Sequence, residues 1–418
     1  MSASLEAASP GDLTEVTTPT SAESRQWLGV LRYCAAVYLA VRTALFLLSA
    51  TAWGLSGSSE LIGRSNPAPL VHGGWLNTIN GWIKLDSGYF ISVARWGYQR
   101  QSPTAAFFPG YPALIRAASY LCLGNMVAAA LLVSNVALLA ALCVLYRLTE
   151  REYDTATARR AVFYLCLFPT AFFLFDAYSE AVFLLTAVGA LALARNRQWG
   201  WASLAGLAAT LTRSTGIVIA FALAVEAIHQ TVEDRRTSAS AASWRDLAPR
   251  AVGRLVASAV PLAGAAGYLL FWQLRFHDWS RPLQLQQTLW HRQLSWPWST
   301  LGHGLVAAAW HGPQANHGWP TFDFVVVAVG LALGVWVALR ARPVYAVYCW
   351  ASILFFLAQG MPLRPLAADP RYLVVIFPLV WALGRLGSNP RVHDAIVALS
   401  ASSLAVTGWL FLTTVKVI

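Results

Sequence analysis

Lysine is almost absent from this chain of 418 residues. Of 30 basic residues, only Lys84 and Lys416 are lysines. Charge of either sign is scarce, at 12% of residues, against about 25% in an ordinary soluble domain. That scarcity excludes a soluble globular enzyme and a disordered chain. Cysteine is rare as well. Cys34, Cys122, Cys143, Cys166 and Cys349 lie in or beside apolar segments, with no CxxC and no His-bearing metal spacing. A disulfide scaffold is thereby excluded, and the five are expected to serve as packing residues. No P-loop, Rossmann fingerprint or Walker motif occurs, which argues against direct use of a nucleotide.

Hydrophobic residues make up 57% of the chain, and the mean hydropathy is +0.52. The apolar runs are long and uninterrupted rather than alternating in short segments, so they point to helices and not to a barrel. The expected class is an all-α multi-pass membrane protein. The formal charge is +11, but the arginines are scattered between apolar runs instead of gathered on one polar face. They are expected to set topology, not to bind nucleic acid.

Residues 1–27 are rich in Ser, Thr, Ala, Glu and Pro and lack the apolar core of a cleavable signal. They are expected to form a disordered cytoplasmic tail. Residues 28–418 then form a single transmembrane domain. Eleven spans are expected, at 28–52, 125–146, 161–177, 181–195, 199–212, 215–229, 252–272, 322–339, 344–358, 371–386 and 395–414. With the amino terminus inside, Arg147, Arg151, Arg159, Arg160, Arg195, Arg197, Arg235, Arg236, Arg245, Arg250, Arg340, Arg342, Arg385 and Arg391 fall in cytoplasmic loops, as the positive-inside rule requires. This holds only if 107–121 does not cross. With Pro109, Pro112 and Arg116, that segment is expected to be an interfacial or re-entrant helix.

Two outer loops result, at about 54–124 and 273–321. The second and its edge are dense in tryptophan and histidine: Trp272, Trp279, Trp290, Trp296, Trp298, Trp310 and Trp319, with His277, His291, His303, His311 and His317. This density fits either interfacial anchoring or an acceptor-binding surface. In the first loop, a helix from Gly74 would align Trp75, Ile79, Trp82, Asp86, Phe90 and Val93 on one face. Asp86 is then a lone carboxylate in an apolar stripe. It is either functional or a cap for a helix starting at Ser87.

Two short hairpins follow, with apices at Asp176–Glu180 and at Thr212–Ser214. Arms of about 15 residues reach about 22 Å, less than the hydrocarbon thickness of about 30 Å. Their polar apices should therefore be recessed, as an internal Glu–Arg pair, as a cavity lining, or as both. Arg371, after Asp369-Pro370, lies where a lipid phosphate would sit. It is either a snorkelling interfacial residue or a phosphate binder. An outward-facing cavity with a carboxylate and arginines would suit a donor activated on a lipid phosphate. A lipid or sugar transporter or flippase with a polar cavity is the alternative, and an accessory subunit of a glycosyltransferase a third.

Lys84-Leu-Asp86-Ser-Gly-Tyr89-Phe90 followed by Phe107-Phe-Pro109-Gly-Tyr111-Pro112 resembles the PIG-V family of mannosyltransferases. Phe168-Pro169 with Tyr178-Ser179-Glu180, then Thr212-Arg213-Ser214-Thr215-Gly216, then Pro370-Arg371-Tyr372 before Phe377-Pro378, match its later segments in order. No single motif is specific; the ordered set is. The resemblance implies a GT-C membrane glycosyltransferase fold. It also implies a mannosyltransferase using polyprenyl-phosphate-mannose as donor, no nucleotide sugar, and inversion at the sugar; no further cofactor is expected, and with Asp86, Glu180 and Asp369 far apart in sequence no dedicated metal site is expected. The acceptor would be a hydroxyl of an envelope glycolipid, lipoglycan or protein, and the active site would lie on the outer face of the cell membrane (the endoplasmic reticulum membrane in a eukaryote). Arginine usage and length point to a bacterial member. Asp86 takes the catalytic role, Arg213 and Arg371 bind phosphate, and Tyr89, Tyr178, Glu180 and Tyr372 position donor or acceptor. One departure is Leu85, where the family usually has Trp.

Overall fold

The computed structural model describes residues 21–56, 77–237, 244–311, 319–362 and 364–413, and these are almost wholly helical. The amino-terminal half runs α1 (Ser21–Ser56), α2 (Asn77–Asn80), α3 (Asp86–Trp96), α4 (Gly110–Ser119), α5 (Met126–Glu152), α6 (Thr155–Leu167), α7 (Phe172–Phe175), α8 (Glu180–Arg195), α9 (Trp199–Thr212) and α10 (Ile217–Thr237). The remainder is α11 (Trp244–Phe276), α12 (Arg281–Thr288), β1 (Gln293–Leu294), α13 (Pro297–His311), α14 (Trp319–Arg340), α15 (Pro343–Leu357), β2 (Gln359–Gly360), α16 (Asp369–Leu373), α17 (Pro378–Leu386) and α18 (Pro390–Thr413). The α1 helix starts at Ser21, inside the segment expected to be a tail. The rest of that tail, and Trp75 of the expected stripe, lie outside the described residues.

Among the described residues six helices are long and apolar enough to cross a membrane: Ser24–Leu55, Met126–Glu152, Ser214–Thr237, Leu247–Phe276, Trp319–Arg340 and Pro390–Thr413. The chain is a multi-pass membrane protein. Three more expected spans are shorter helices, α8, α9 and α15. The remaining two, 161–177 and 371–386, are not continuous helices. Pro169 forces Phe168 into an extended conformation (φ −53°, ψ 143°) and ends α6, because the residue before proline is driven out of the helical region. In the other segment α16 stops at Leu373, and Pro378 opens α17 at its first turn, where a missing N–H costs nothing.

Local chemistry sets the other ends. The Asn125 side chain accepts from the Val127 and Ala128 amides at 3.0 and 3.1 Å and starts α5. Asp154 accepts from the Thr157 amide at 2.6 Å and starts α6. Both are side-chain caps on otherwise unsatisfied first-turn donors. Segment 107–121 holds the ten-residue α4, which is too short to span and packs on α3 and α5.

One end of the bundle collects the arginines expected in cytoplasmic loops. Glu226, fully buried, meets Arg195 at 3.3 Å and Arg342 at 3.1 Å. Arg195 also meets Glu152 at 2.8 Å, and Arg342 meets Glu233 at 3.0 Å. Arg385 reaches Asp154 at 3.1 Å, and Arg160 donates to the Gly384 carbonyl at 2.6 Å. These contacts join α5, α6, α8, α10, α15 and α17. Consecutive helices alternate in direction from there, which carries the apices after α7 and α9 to the opposite end.

Candidate active site

At that opposite end a cleft opens between the apices and the segment around Gln286–Arg292. Asp86, Phe107, Arg213, Trp290, Arg292, Arg371 and Tyr372 are among its lining residues. They come from five separate stretches of sequence.

Asp86 is the first residue of α3, and no continuous helix runs through it from Gly74. The chain turns between α2 and α3, and Leu85 adopts φ +53°, ψ −116°. A branched aliphatic residue in that region is strained by about 1–3 kcal/mol. The turn is held from two sides. Tyr178 donates its hydroxyl to the Lys84 carbonyl at 2.8 Å. The Lys84 ammonium donates to the Phe411 and Leu412 carbonyls at 3.1 and 2.7 Å, at the end of α18, where a helix dipole favours a cation. Burial pulls the Lys84 pKa down to about 8, with Asp176 opposing.

Asp86 is not a helix cap: its α3 start has no side-chain capping bond. Its Oδ2 instead accepts from Arg371 Nη1 at 2.6 Å, and the side chain stays 21% exposed. Arg371 donates from Nε to Glu180. Its guanidinium stacks 4.5 Å over the Tyr178 ring and 4.8 Å over Phe173. It is thus a buried bridge, not a snorkelling surface group. Glu180 is fully buried and also holds Arg213 at 2.6 Å. The expected internal Glu–Arg pair therefore exists, and it is a pair of arginines on one carboxylate. Arg213 sits in the extended residue between α9 and the following 3₁₀ turn (φ −151°, ψ 147°), which aims it at Glu180 instead of along the helix.

Tyr372 is the hub on the cleft side. Arg213 lies 5.2 Å from its ring centroid, Arg292 5.5 Å and Arg371 6.0 Å. Arg292 also donates to its hydroxyl, and Phe356 stacks on its other side at 4.5 Å. Tyr89 stacks on Phe107 at 4.9 Å and meets the edge of Trp290 at 6.5 Å, forming an aromatic flank. All seven residues singled out by sequence are therefore gathered here. Tyr178 and Glu180 do not reach the cleft surface. They can act only through Lys84, Arg213 and Arg371.

The second loop divides. Trp272 and Trp319 are buried, whereas Trp296, Trp298 and Trp310 are exposed and suit anchoring at a membrane surface. Trp290 and Arg292 face the cleft. His311 and His317 lie outside the described side chains. Sequence reasoning missed Arg292, since a single arginine between Trp290-His291 and Gln293 carries no local signal. Among the described residues no three His, Cys, Asp or Glu side chains come together as a metal site would require.

Two glycines explain motif residues. A Cβ at Gly110 would lie 2.8 Å from the Leu211 carbonyl oxygen, and one at Gly216 only 2.3 Å from the Thr210 nitrogen. The Pro-Gly-Tyr-Pro segment thus packs directly on the backbone before Arg213. Gly110→Ala should cost on the order of 1–3 kcal/mol of stability by overpacking. Gly189→Ala, with nothing within 4 Å of its Cβ, should be neutral or stabilising by up to about 1 kcal/mol. Thermal melts of the two variants in one detergent check the contrast.

The model of the family described as "Mannosyltransferase (PIG-V)" matches residues 29–242, just over half the chain. The chain belongs to the PIG-V mannosyltransferase family. The matched region contains Asp86, Tyr89, Tyr178, Glu180 and Arg213. GPI mannosyltransferase 2 from Cryptococcus neoformans is 34% identical over 174 residues. That match covers 39% of this chain and 40% of the fungal protein. Among solved structures, ArnT from Cupriavidus metallidurans bound to undecaprenyl phosphate aligns at TM-score 0.49 and 16% identity. That alignment covers 87% of this chain and 62% of ArnT. An oligosaccharyltransferase from Archaeoglobus fulgidus aligns at TM-score 0.41 and 14% identity, covering 89% and 53%.

Proposed function

We propose that this PIG-V family member is a membrane mannosyltransferase of GT-C architecture. It moves mannose from polyprenyl-phosphate-mannose to an acceptor hydroxyl at the outer face of the membrane. The observation that carries this reading is the Asp86 carboxylate: open to the cleft, fixed through one oxygen by Arg371, and facing further guanidinium groups. Asp86 takes the proton as the acceptor oxygen attacks the anomeric carbon. The bond from that carbon to the phosphate oxygen breaks, and the electron pair leaves with the lipid phosphate. A single displacement inverts the sugar. Arginine stabilises the charge that develops on the leaving phosphate. Glu180 and Tyr178 position the arginines and the Asp86 turn.

The outer-face placement is supported by the arginine-rich end of the bundle, which the positive-inside rule assigns to the cytoplasm. Acceptors of the expected class are an envelope glycolipid, lipoglycan or protein. Family membership favours transfer over the transporter reading. The test is incubation of the purified full chain with labelled polyprenyl-phosphate-mannose and a native envelope extract. Label moving to an acceptor supports the reading. Label carried across vesicle membranes without a new glycosidic bond would replace it with transport.

A further inference from the structure

We infer that Arg292, in the second outer loop, is the residue that binds the phosphate of the lipid-linked donor and of the lipid phosphate product. This inference rests on the proposed transferase reading and revises which arginine does the work. The argument starts from charge. Arg213 and Arg371 share Glu180, and Arg371 is further engaged by Asp86. Those two cations and two anions cancel. The hydrogen-bond partners of Arg292 are neutral: Gln286 at 3.2 Å, Gln359 at 3.4 Å and the Tyr372 hydroxyl. No carboxylate among the described residues lies within ion-pair distance of it. Asp86 and Asp369 act on Arg292 only at longer range, and burial pushes the Asp369 carboxyl up to about 8, which favours its neutral form. The cleft therefore holds one cation in excess, and it is Arg292.

Its placement is also built. Gln293–Leu294 pairs antiparallel with Gln359–Gly360, and the Ser295 amide donates to the Ala358 carbonyl at 3.0 Å. These bonds clip the loop to the end of α15. His291, just before Arg292, has a positive φ of +53°, as does Leu85 just before Asp86. Strained backbone next to a side chain that must be aimed is the pattern of a functional site. The chemistry requires such a cation. A sugar phosphodiester carries one negative charge, and the lipid phosphate released carries up to two. A guanidinium not already neutralised gains most as that charge develops.

The experiment measures binding of undecaprenyl phosphate and of undecaprenol to the full chain by native mass spectrometry, whose charge-state distribution separates folded from unfolded protein. Wild type, Arg292→Gln and Arg292→Lys are compared. The expected result is that wild type prefers the phosphate. Arg292→Gln should weaken it about 10- to 100-fold, the worth of a lost charge-assisted bond. Arg292→Lys should restore part of the affinity, and undecaprenol binding should not change. Equal phosphate binding by wild type and Arg292→Gln overturns the assignment of Arg292 and leaves the donor class standing. A wild type that does not distinguish the phosphate from the alcohol overturns the lipid-phosphate donor itself.

Discussion

Asp86→Asn is expected to lower sugar transfer by about 100- to 10,000-fold, the usual worth of a positioned general base, with little loss of stability. Asparagine keeps the shape and can still accept from Arg371 Nη1 through its amide oxygen, so the Asp86–Arg371 contact at 2.6 Å survives in weakened form. It cannot take a proton from an attacking hydroxyl. The start of α3 should be unaffected, because no side-chain cap is lost there. Turnover with labelled donor, set beside a melting curve on the same sample, checks both halves. Full turnover by a folded Asp86→Asn protein would remove Asp86 from the chemistry. A collapse in melting temperature would mean that the carboxylate serves the Arg371 bridge and not the reaction.

Glu180→Gln should produce the largest structural effect. Glu180 is fully buried and is the shared partner of Arg213 and Arg371. Removing one member of a buried ion pair strands the other and costs about 3–5 kcal/mol. Here two guanidinium groups face each other across the lost charge, so the low end of that range is the minimum expected. Activity should vanish with it, because Arg371 then has only Asp86 to orient it. The double variant Glu180→Gln with Arg213→Gln tests the cause. Deleting one stranded cation should recover part of the stability, a coupling of about 1–3 kcal/mol between contacting groups. Additive losses in the double variant would place the defect in packing and not in charge.

Much of this was legible in the chain. Hydropathy marked the six long helices, and α9 was expected at 199–212, where it occurs. The order of the motifs singles out Asp86, Arg213, Glu180 and Arg371, and the structure brings these four into contact. Three things were not legible, each for a physical reason. The break at Asp86 depends on tertiary bonds from Tyr178 and Lys84, which override the helical spacing of Ile79, Trp82 and Asp86. The interruptions near Pro169 and Pro378 fall inside runs apolar enough to mimic spans. Arg292 is placed only when β1 meets β2, a pairing of residues 65 and 67 positions apart that no local pattern encodes.

The single excess guanidinium beside Asp86 sets an electrical timetable for the proposed reaction. With the singly charged donor seated, the charges of Arg213, Arg371, Arg292, Asp86 and Glu180 and of the donor phosphate sum to zero. Transfer adds one negative charge to the lipid phosphate and one proton to Asp86, so the sum stays at zero through the displacement. Once that proton escapes to solvent, the cleft carries a net negative charge, and the restored carboxylate repels the spent lipid. Proton release then becomes the ejection stroke, and the protein is ready for its next donor only after it has given that proton away.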